Sequence, residues 1–391
     1  MDAAYCYSLN RGGQYNKVRY FFRLFMPIQC DTFVSDFAGC EVLFTSWTNR
    51  RDYTELIESI RVGLNKSRFV LINDSFKRKF KFPRFYYWRV FREGFKCNCS
   101  FSNKLFLSFR LLDYVVAYKS VVKEFKNKGI SGKHRYVPFN SSFGLENVIT
   151  QYLNSLGYDT YHLCHGLHFS PNYLFFSIDS FNKELIAARN VLSWGQGFVD
   201  NDKKYYNHTY NHLVVGNPKY PIKNINTNFH QDSCVVFLAR GQYDLNNAKL
   251  LEVINDYAQH YSLNVVVKPH PTDNLKMLID LCTRFGFSII QDKRTIKEIL
   301  EDNNYGFAIS YETTAYFEAM YYNLVCLRYS YQENESYGDL DNRFLSSNDL
   351  KMQIERFSKM NMSQFSKVVQ KTLEMEIGMG INNYSSVLNF D

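Results

Sequence analysis

Two stretches, LNVVVKPHPTD at residues 263–273 and YGFAISYETTAYFEAM at residues 305–320, decide how this chain folds. Each opens on an apolar run with the length of a strand buried on both faces of a parallel sheet. The first run stops at Lys268-Pro269-His270-Pro271, where two prolines forbid further ladder pairing. The second passes through a turn rich in Ser and Thr into a helix. In open α/β sheets, ligands bind beyond the carboxyl ends of the strands, and helix starts there favour anions. The region therefore reads as the seat of an anionic ligand, a nucleotide mono- or diphosphate.

Working outward, the same alternation fills the second half of the chain. Strands are expected at residues 233–239, ending in Arg240-Gly241, and at 263–267, 287–291, 305–310 and 324–329. Helices are expected between them at 245–260, 274–285, 295–300 and 313–322. Residues 220–232 are polar and aperiodic, as a linker would be. Upstream, strands are expected at 135–139, 159–164, 190–193 and 212–215, followed by Asn140, His165-Gly166, Trp194-Gly195 and Gly216-Asn217. A helix runs to Leu156 and is stopped by Gly157. Before residue 130 the reading is sparser, with strands at 40–47 and 68–73 and a helix at 52–64. Strands alternating with helices of this length imply parallel sheets with right-handed crossovers. The expectation is an α/β chain of two Rossmann-like domains facing a cleft, residues 1–220 and 221–391.

The 391 residues are 46% hydrophobic and 21% charged, which excludes wholesale disorder. A net charge of +8 suits acidic ligands, an anionic membrane surface or nucleic acid, and does not choose among them. The nine cysteines are scattered and odd in number, as reduced core thiols would be. Cys97-Asn98-Cys99 has no second pair with which to complete a zinc site. No signal peptide is read at the start, and no apolar run reaches the roughly 18–20 residues that span a bilayer. A cytoplasmic protein is expected. Residues 77–133 interleave bases with aromatics, beginning in FKRKFKFPRFYYWRVFREGFK at 76–96. Such a segment can be a helix pair with aromatics inside and Lys/Arg outside. It can also hold a protein peripherally at an anionic bilayer or stack on single-stranded nucleic acid.

Candidate site residues follow from the strand ends. Ser310, Thr313 and Thr314 can offer hydroxyls and amides to a phosphate, and Glu318 can accept from two ribose hydroxyls. The competing structural reading makes Thr313 a helix cap and Glu318 a surface charge. His270, fixed between prolines that include Pro271, can donate to a phosphate oxygen, with Lys268 adding charge. Arg240 can clamp phosphate while Gly241 allows close backbone approach. In His162-Leu-Cys-His165-Gly166-Leu-His168 no carboxylate or cysteine set completes a metal site. His165 is instead placed as a general base for an acceptor hydroxyl, the alternative being a buried structural histidine. There is no P-loop, no G-x-G-x-x-G fingerprint, no G-x-S-x-G elbow and no Asp-x-Asp after a strand.

These residues, from about 161 to 329, resemble the two-domain GT-B glycosyltransferases that build bacterial capsule, O-antigen and teichoic acid. His270-Pro271 is similar to the His-Pro motif of sialyl-type transferases. His165-Gly166 with the later Pro-His-Pro is similar to CDP-glycerol and CDP-ribitol polymerases. The resemblance implies that the second domain holds a nucleotide-sugar donor through His270, Ser310 and Glu318, without a metal or other cofactor. It implies that the first domain takes a lipid-linked oligosaccharide at the inner face of the membrane, and that a helical tail such as 349–376 packs back on the first domain. The acidic-acidic-Gly motif of sialyltransferases is absent, which sets this chain apart from a sialic acid donor. Alternatives to sugar transfer are a CDP-alditol phosphotransferase, a nucleotide-sugar 2-epimerase and a nucleic-acid-binding protein. Nucleic acid is not the expected partner.

Overall fold

The alternation is realised as two six-stranded parallel sheets, one in each of two compact units. The computed structural model describes residues 28–78, 88–164, 166, 183–271, 274–302, 305–330 and 340–390. The first unit takes Met1–Lys219 with Ile381–Asp391, and the second takes Tyr220–Gly380. His165 lies outside the described residues, as do His168 and the stretch 79–87 of the basic-aromatic segment.

In the first unit, β1 (Ile28–Gln29), α1 (Asp31–Ala38), β2 (Val42–Ser46), α2 (Arg51–Arg61), β3 (Ser67–Leu71), α3 (Ile72–Ser75) and β4 (Lys77–Arg78) come first. They lead to α4 (Trp88–Phe95), α5 (Phe101–Lys128), β5 (Arg135–Pro138), α6 (Gly144–Ser155), β6 (Asp159–Leu163), β7 (Asn190–Ser193), α7 (Gln196–Tyr205) and β8 (Asn211–Val214). The sheet runs β3-β2-β5-β6-β7-β8, while β1 and β4 form a separate antiparallel pair. All five residues of β2 are buried, as helices on both faces of a parallel sheet require. Aromatic rings are prominent in this core. Phe37 meets Phe125 at 5.5 Å and Tyr158 edge-on at 5.3 Å between ring centroids, and Phe33 packs edge-on against Tyr136. Burying each such ring contributes about 1.5–3 kcal/mol.

In the second unit the order is β9 (Ser233–Phe237), α8 (Asp244–Ala258), β10 (Asn264–Lys268), α9 (Leu275–Phe285), β11 (Ser288–Ile289) and α10 (Ile296–Asp302). It continues with β12 (Phe307–Ser310), α11 (Ala315–Tyr321), β13 (Cys326–Tyr329), β14 (Arg343–Phe344), α12 (Ser347–Ser358) and α13 (Met362–Ile377). The sheet runs β11-β10-β9-β12-β13-β14. Counted within the unit, that is strand order 3-2-1-4-5-6, the doubly wound arrangement with a switch point between its first and fourth strands. The strand β14 was not foreseen; two residues carry too little pattern to be read.

A C-terminal helix returns to the first unit, as expected, though not from the stretch 349–376. The helices over 349–376 belong to the second unit, as α12 and α13. The helix that returns to the first unit is the short α14 (Tyr384–Leu388). Tyr384 Oη donates to the Gly216 carbonyl at 3.1 Å, and the Asn383 amide to the Val215 carbonyl at 3.0 Å. Gly216 has φ +82°, and a Cβ there would lie 1.9 Å from the Ile381 carbonyl oxygen, so only glycine fits. Residues 220–232, read as the linker, open the second unit and are bonded to it. The Thr227 amide donates to Ser366 Oγ at 2.8 Å and Asn228 bridges Leu324, so their polar groups are spent on the second unit. The described cysteines are free thiols, and all but Cys97 and Cys99 are buried.

Candidate functional site

The carboxyl ends of β9 and β12 meet at the switch point of the second sheet. Register places Lys268, Phe237, Ser310, Arg328 and Arg343 in one row across β10, β9, β12, β13 and β14. With strands about 4.8 Å apart, Lys268 and Ser310 sit about 10 Å from each other at that edge. The Tyr311 amide donates to the Phe237 carbonyl at 3.2 Å, so the two central strands are tied at their last residues.

Beyond β9, Leu238 and Ala239 remain buried and Arg240 emerges into solvent. Arg240 starts a 3-10 turn over Gly241–Tyr243, its carbonyl accepting the Tyr243 amide at 2.8 Å. Asn247, fully buried on α8, accepts from the Ala239 amide at 3.1 Å and donates to its carbonyl at 3.0 Å. That bidentate clasp satisfies both backbone groups of the residue before Arg240, which would otherwise be orphaned where the strand ends. Tyr311 is held by Asn246 Nδ2 at 2.6 Å and contacts the rings of Tyr243 and Tyr329 edge-on. Neither Asn247 nor the tyrosine floor was read from sequence, because a lone Asn or Tyr near a strand end carries no pattern.

Beyond β12 the backbone turns through Glu312 at φ +46°, a left-handed conformation that costs a non-glycine residue about 1–2 kcal/mol. Thr313 and Thr314 are half-buried. The amides of Ala315, Tyr316 and Phe317 are already bonded to Thr313 Oγ1, the Thr313 carbonyl and the Thr314 carbonyl. This leaves threonine hydroxyl hydrogens, rather than those helix amides, for a ligand. Ser310 is 1% exposed and its Oγ takes the Cys326 thiol at 3.6 Å, so that hydroxyl lies inside the sheet. Glu318 is half-buried in the first turn of α11. Tyr220 is held well above its ordinary range, first by burial and then by the charge of the Glu318 carboxylate.

Beyond β10, Lys268 Nζ donates to the Asp292 carbonyl at 2.9 Å. Burial pushes this ammonium downward, with Asp292 opposing. His270 is half-buried and Pro271 exposed in the following turn. The edge of the second sheet thus brings together Arg240, Gly241, Lys268, His270, Thr313 and Thr314, with Glu318 one turn further on.

The first sheet has its own switch point, between β2 and β5, and a buried carboxyl that carries no sequence pattern lies there. Glu146 is 2% exposed at the start of α6. It accepts from Thr45 Oγ1 at 2.9 Å and from the Phe139 and Asn140 amides at 3.1 and 3.3 Å. Burial pushes its carboxyl up to about 8, against the pull of those three donors. In the basic-aromatic segment, α4 and α5 pack as a helical pair. Phe91 meets Phe95 within α4 and Phe109 across the pair, while Trp88 and Phe101 remain 64% and 68% exposed. Among the described residues no helix is long and apolar enough to cross a membrane.

No family model matches the sequence, and no curated protein matches it. Solved structures do match in fold. The trehalose-6-phosphate synthase OtsA superposes with a TM-score of 0.54 at 7% identity over 89% of this chain and 97% of its own. MnaA of S. aureus, solved with UDP, gives 0.52 at 9% identity over 88% and 94%. The α,α-trehalose 6-phosphate synthase of Burkholderia multivorans gives 0.52 at 8% over 88% and 96%. At such identities the likeness is one of fold. It covers nearly the whole of each chain, and the fold class is the one the sequence led us to expect: two parallel-sheet α/β domains of the GT-B kind, six strands each.

Proposed function

We propose that the chain is a metal-independent glycosyltransferase that moves a sugar from a nucleotide-sugar to a growing lipid-linked surface polysaccharide. The observation that carries this reading is the convergence of Arg240-Gly241, Lys268, His270 and the Thr313–Glu318 segment at the switch point of a 3-2-1-4-5-6 sheet. That is where open sheets bind phosphorylated ligands. Arg240 offers a forked cation and His270 a donor for the diphosphate, and Glu318 an acceptor for ribose hydroxyls. Stabilising charge on the departing nucleotide is the main electrostatic task in such a transfer. His165 is the proposed base for the acceptor hydroxyl. The UDP in the S. aureus MnaA structure supports a nucleoside diphosphate as ligand of this fold. The exposed Trp88 and Phe101 on the basic helical pair support peripheral attachment at the inner face of the membrane.

Thermal-shift titration with CMP, CDP, UDP and GDP tests the donor site, since a ligand of the folded state raises the melting point by mass action. A response to one nucleotide, weakened at least about tenfold in Arg240→Ala and Glu318→Ala, is expected. A flat response to all four removes the reading. A 2-epimerase shares the fold and needs no acceptor, so epimer formed from the nucleotide-sugar alone would replace transfer with epimerisation.

A further inference from the structure

Beneath α7 the first unit holds a partly buried group that the transfer reading does not use. Asp202 lies on α7, His208 on the loop after it, and His212 in β8. His208 Nε2 and His212 Nε2 face each other at 3.4 Å, and Asp202 Oδ2 stands 3.5 Å from His212 Nε2. All three ligand atoms fall within 4.8 Å of one another. Two imidazole nitrogens at 3.4 Å make a poor hydrogen bond, being longer than the ordinary N–H range. The separation is, however, that of two nitrogens each bound 2.0–2.1 Å from a tetrahedral ion, about 3.4 Å.

The surroundings orient these atoms as the outer partners of a metal site do. His212 Nδ1 bonds Ser193 Oγ at 2.9 Å, which fixes the ring and turns Nε2 towards His208. His208 stacks on Tyr210 with centroids 4.1 Å apart and planes 11° from parallel. Lys183 Nζ donates to Asp202 Oδ1 at 2.8 Å and Tyr210 Oη donates to Oδ2 at 2.7 Å, so the carboxylate cannot rotate away. Both Asp202 and Lys183 are buried, and the Lys183 charge offsets that of Asp202. Two neutral nitrogens and one shared carboxylate oxygen suit a borderline ion such as Zn(II) or Co(II), and not Mg(II) or Ca(II), which want oxygen.

We propose that Asp202, His208 and His212 form a zinc-type metal site that pins α7 and the following loop to the edge strand β8, with water as the fourth ligand. The ion is structural, and transfer is not routed through it. In the sequence the site is overshadowed by the denser run of histidines at 162, 165 and 168. The informative spacing, His208 and His212 four apart, straddles a loop and a strand, and its carboxylate precedes it on a helix.

The experiment uses the full chain, stripped with EDTA and titrated with ZnCl2 and, separately, CoCl2. One zinc per chain, a raised melting point, and the visible absorption of tetrahedral cobalt are expected. His208→Gln and His212→Ala should each weaken zinc binding more than about a hundredfold, beyond the roughly 10–100-fold that loss of an outer partner costs. His208→Gln is half-exposed in the wild type and should keep the fold, which circular dichroism would check. Two results overturn the proposal: no stoichiometric ion with no cobalt absorption, or unchanged zinc affinity in both variants, which would put the ion elsewhere.

Discussion

Glu146 is a carboxyl whose folded-state environment favours its neutral form, and that gives it a signed effect on stability. Its pKa rises from 4.5 to about 8 on burial, so the folded state holds a proton that the unfolded chain has released between those values. Stability from this group is then fully present below pH 4.5 and is lost as pH climbs through about 8. The loss is at most about 1.4 kcal/mol per pH unit. A Glu146→Gln variant cannot ionise and should lack that decline. Melting curves from pH 5 to 9 should therefore show wild type losing ground to the variant as pH rises. Parallel curves would mean that the Thr45, Phe139 and Asn140 donors keep the carboxylate charged throughout. The residue was illegible in the sequence because its surroundings come from β2 and the turn after β5, 101 positions from Thr45 in the first case.

At the scale of elements, the strands were legible and the turns were not. VVVK and FAIS could be placed because parallel strands covered on both faces read as unbroken apolar runs. The turn after β12 was read for its composition, Ser and Thr, but its geometry depends on Glu312 in a left-handed conformation that no local rule announces for Glu. Helix α11, expected from Thr313, begins at Ala315 because that turn consumes the first amides. Its far end is set by Asn323, at φ +67°, the position past a helix where Asn and Gly are favoured. Asn323 Oδ1 also accepts the Asn226 amide at 3.0 Å and its carbonyl the Asn228 amide at 2.8 Å. Asn323→Ala should therefore cost about 1–2 kcal/mol of backbone strain plus about 1 for the lost bond. Asn323→Gly should lose only the bond. Denaturant titration of the two variants separates these terms, and equal losses would show that the backbone contributes nothing. Glu318 lies on this helix, so nucleotide affinity should follow the same order, with the alanine variant the weaker binder.

At the scale of the molecule, the chain passes between its two units twice, after Lys219 and after Gly380, and its last eleven residues belong to the first unit. By length and amphipathicity α12 and α13 resemble such a returning tail, but both belong to the second unit and bury their apolar faces there. The segment that does return is too short for periodicity, and its attachment is made by a few buried groups. Tyr384 and Leu388 are 1% and 0% exposed, each worth about 1.5–3 kcal/mol of burial. Arg135 donates to the Asn389 carbonyl and lies 4.0 Å over the Phe390 ring. Removing residues 381–391 should therefore destabilise the first unit by several kcal/mol while leaving the core of the second intact. Calorimetry of the truncated chain should show one transition lowered by many degrees. The other transition should stay near its wild-type position and still move upward with the nucleotide that the full chain binds. A truncated protein that melts as the wild type does would show that α14 merely rests on the surface. If nucleotide instead raised the transition that truncation lowers, ligand and tail would share one unit, and the donor site would have to be sought at the β2–β5 switch point around Glu146.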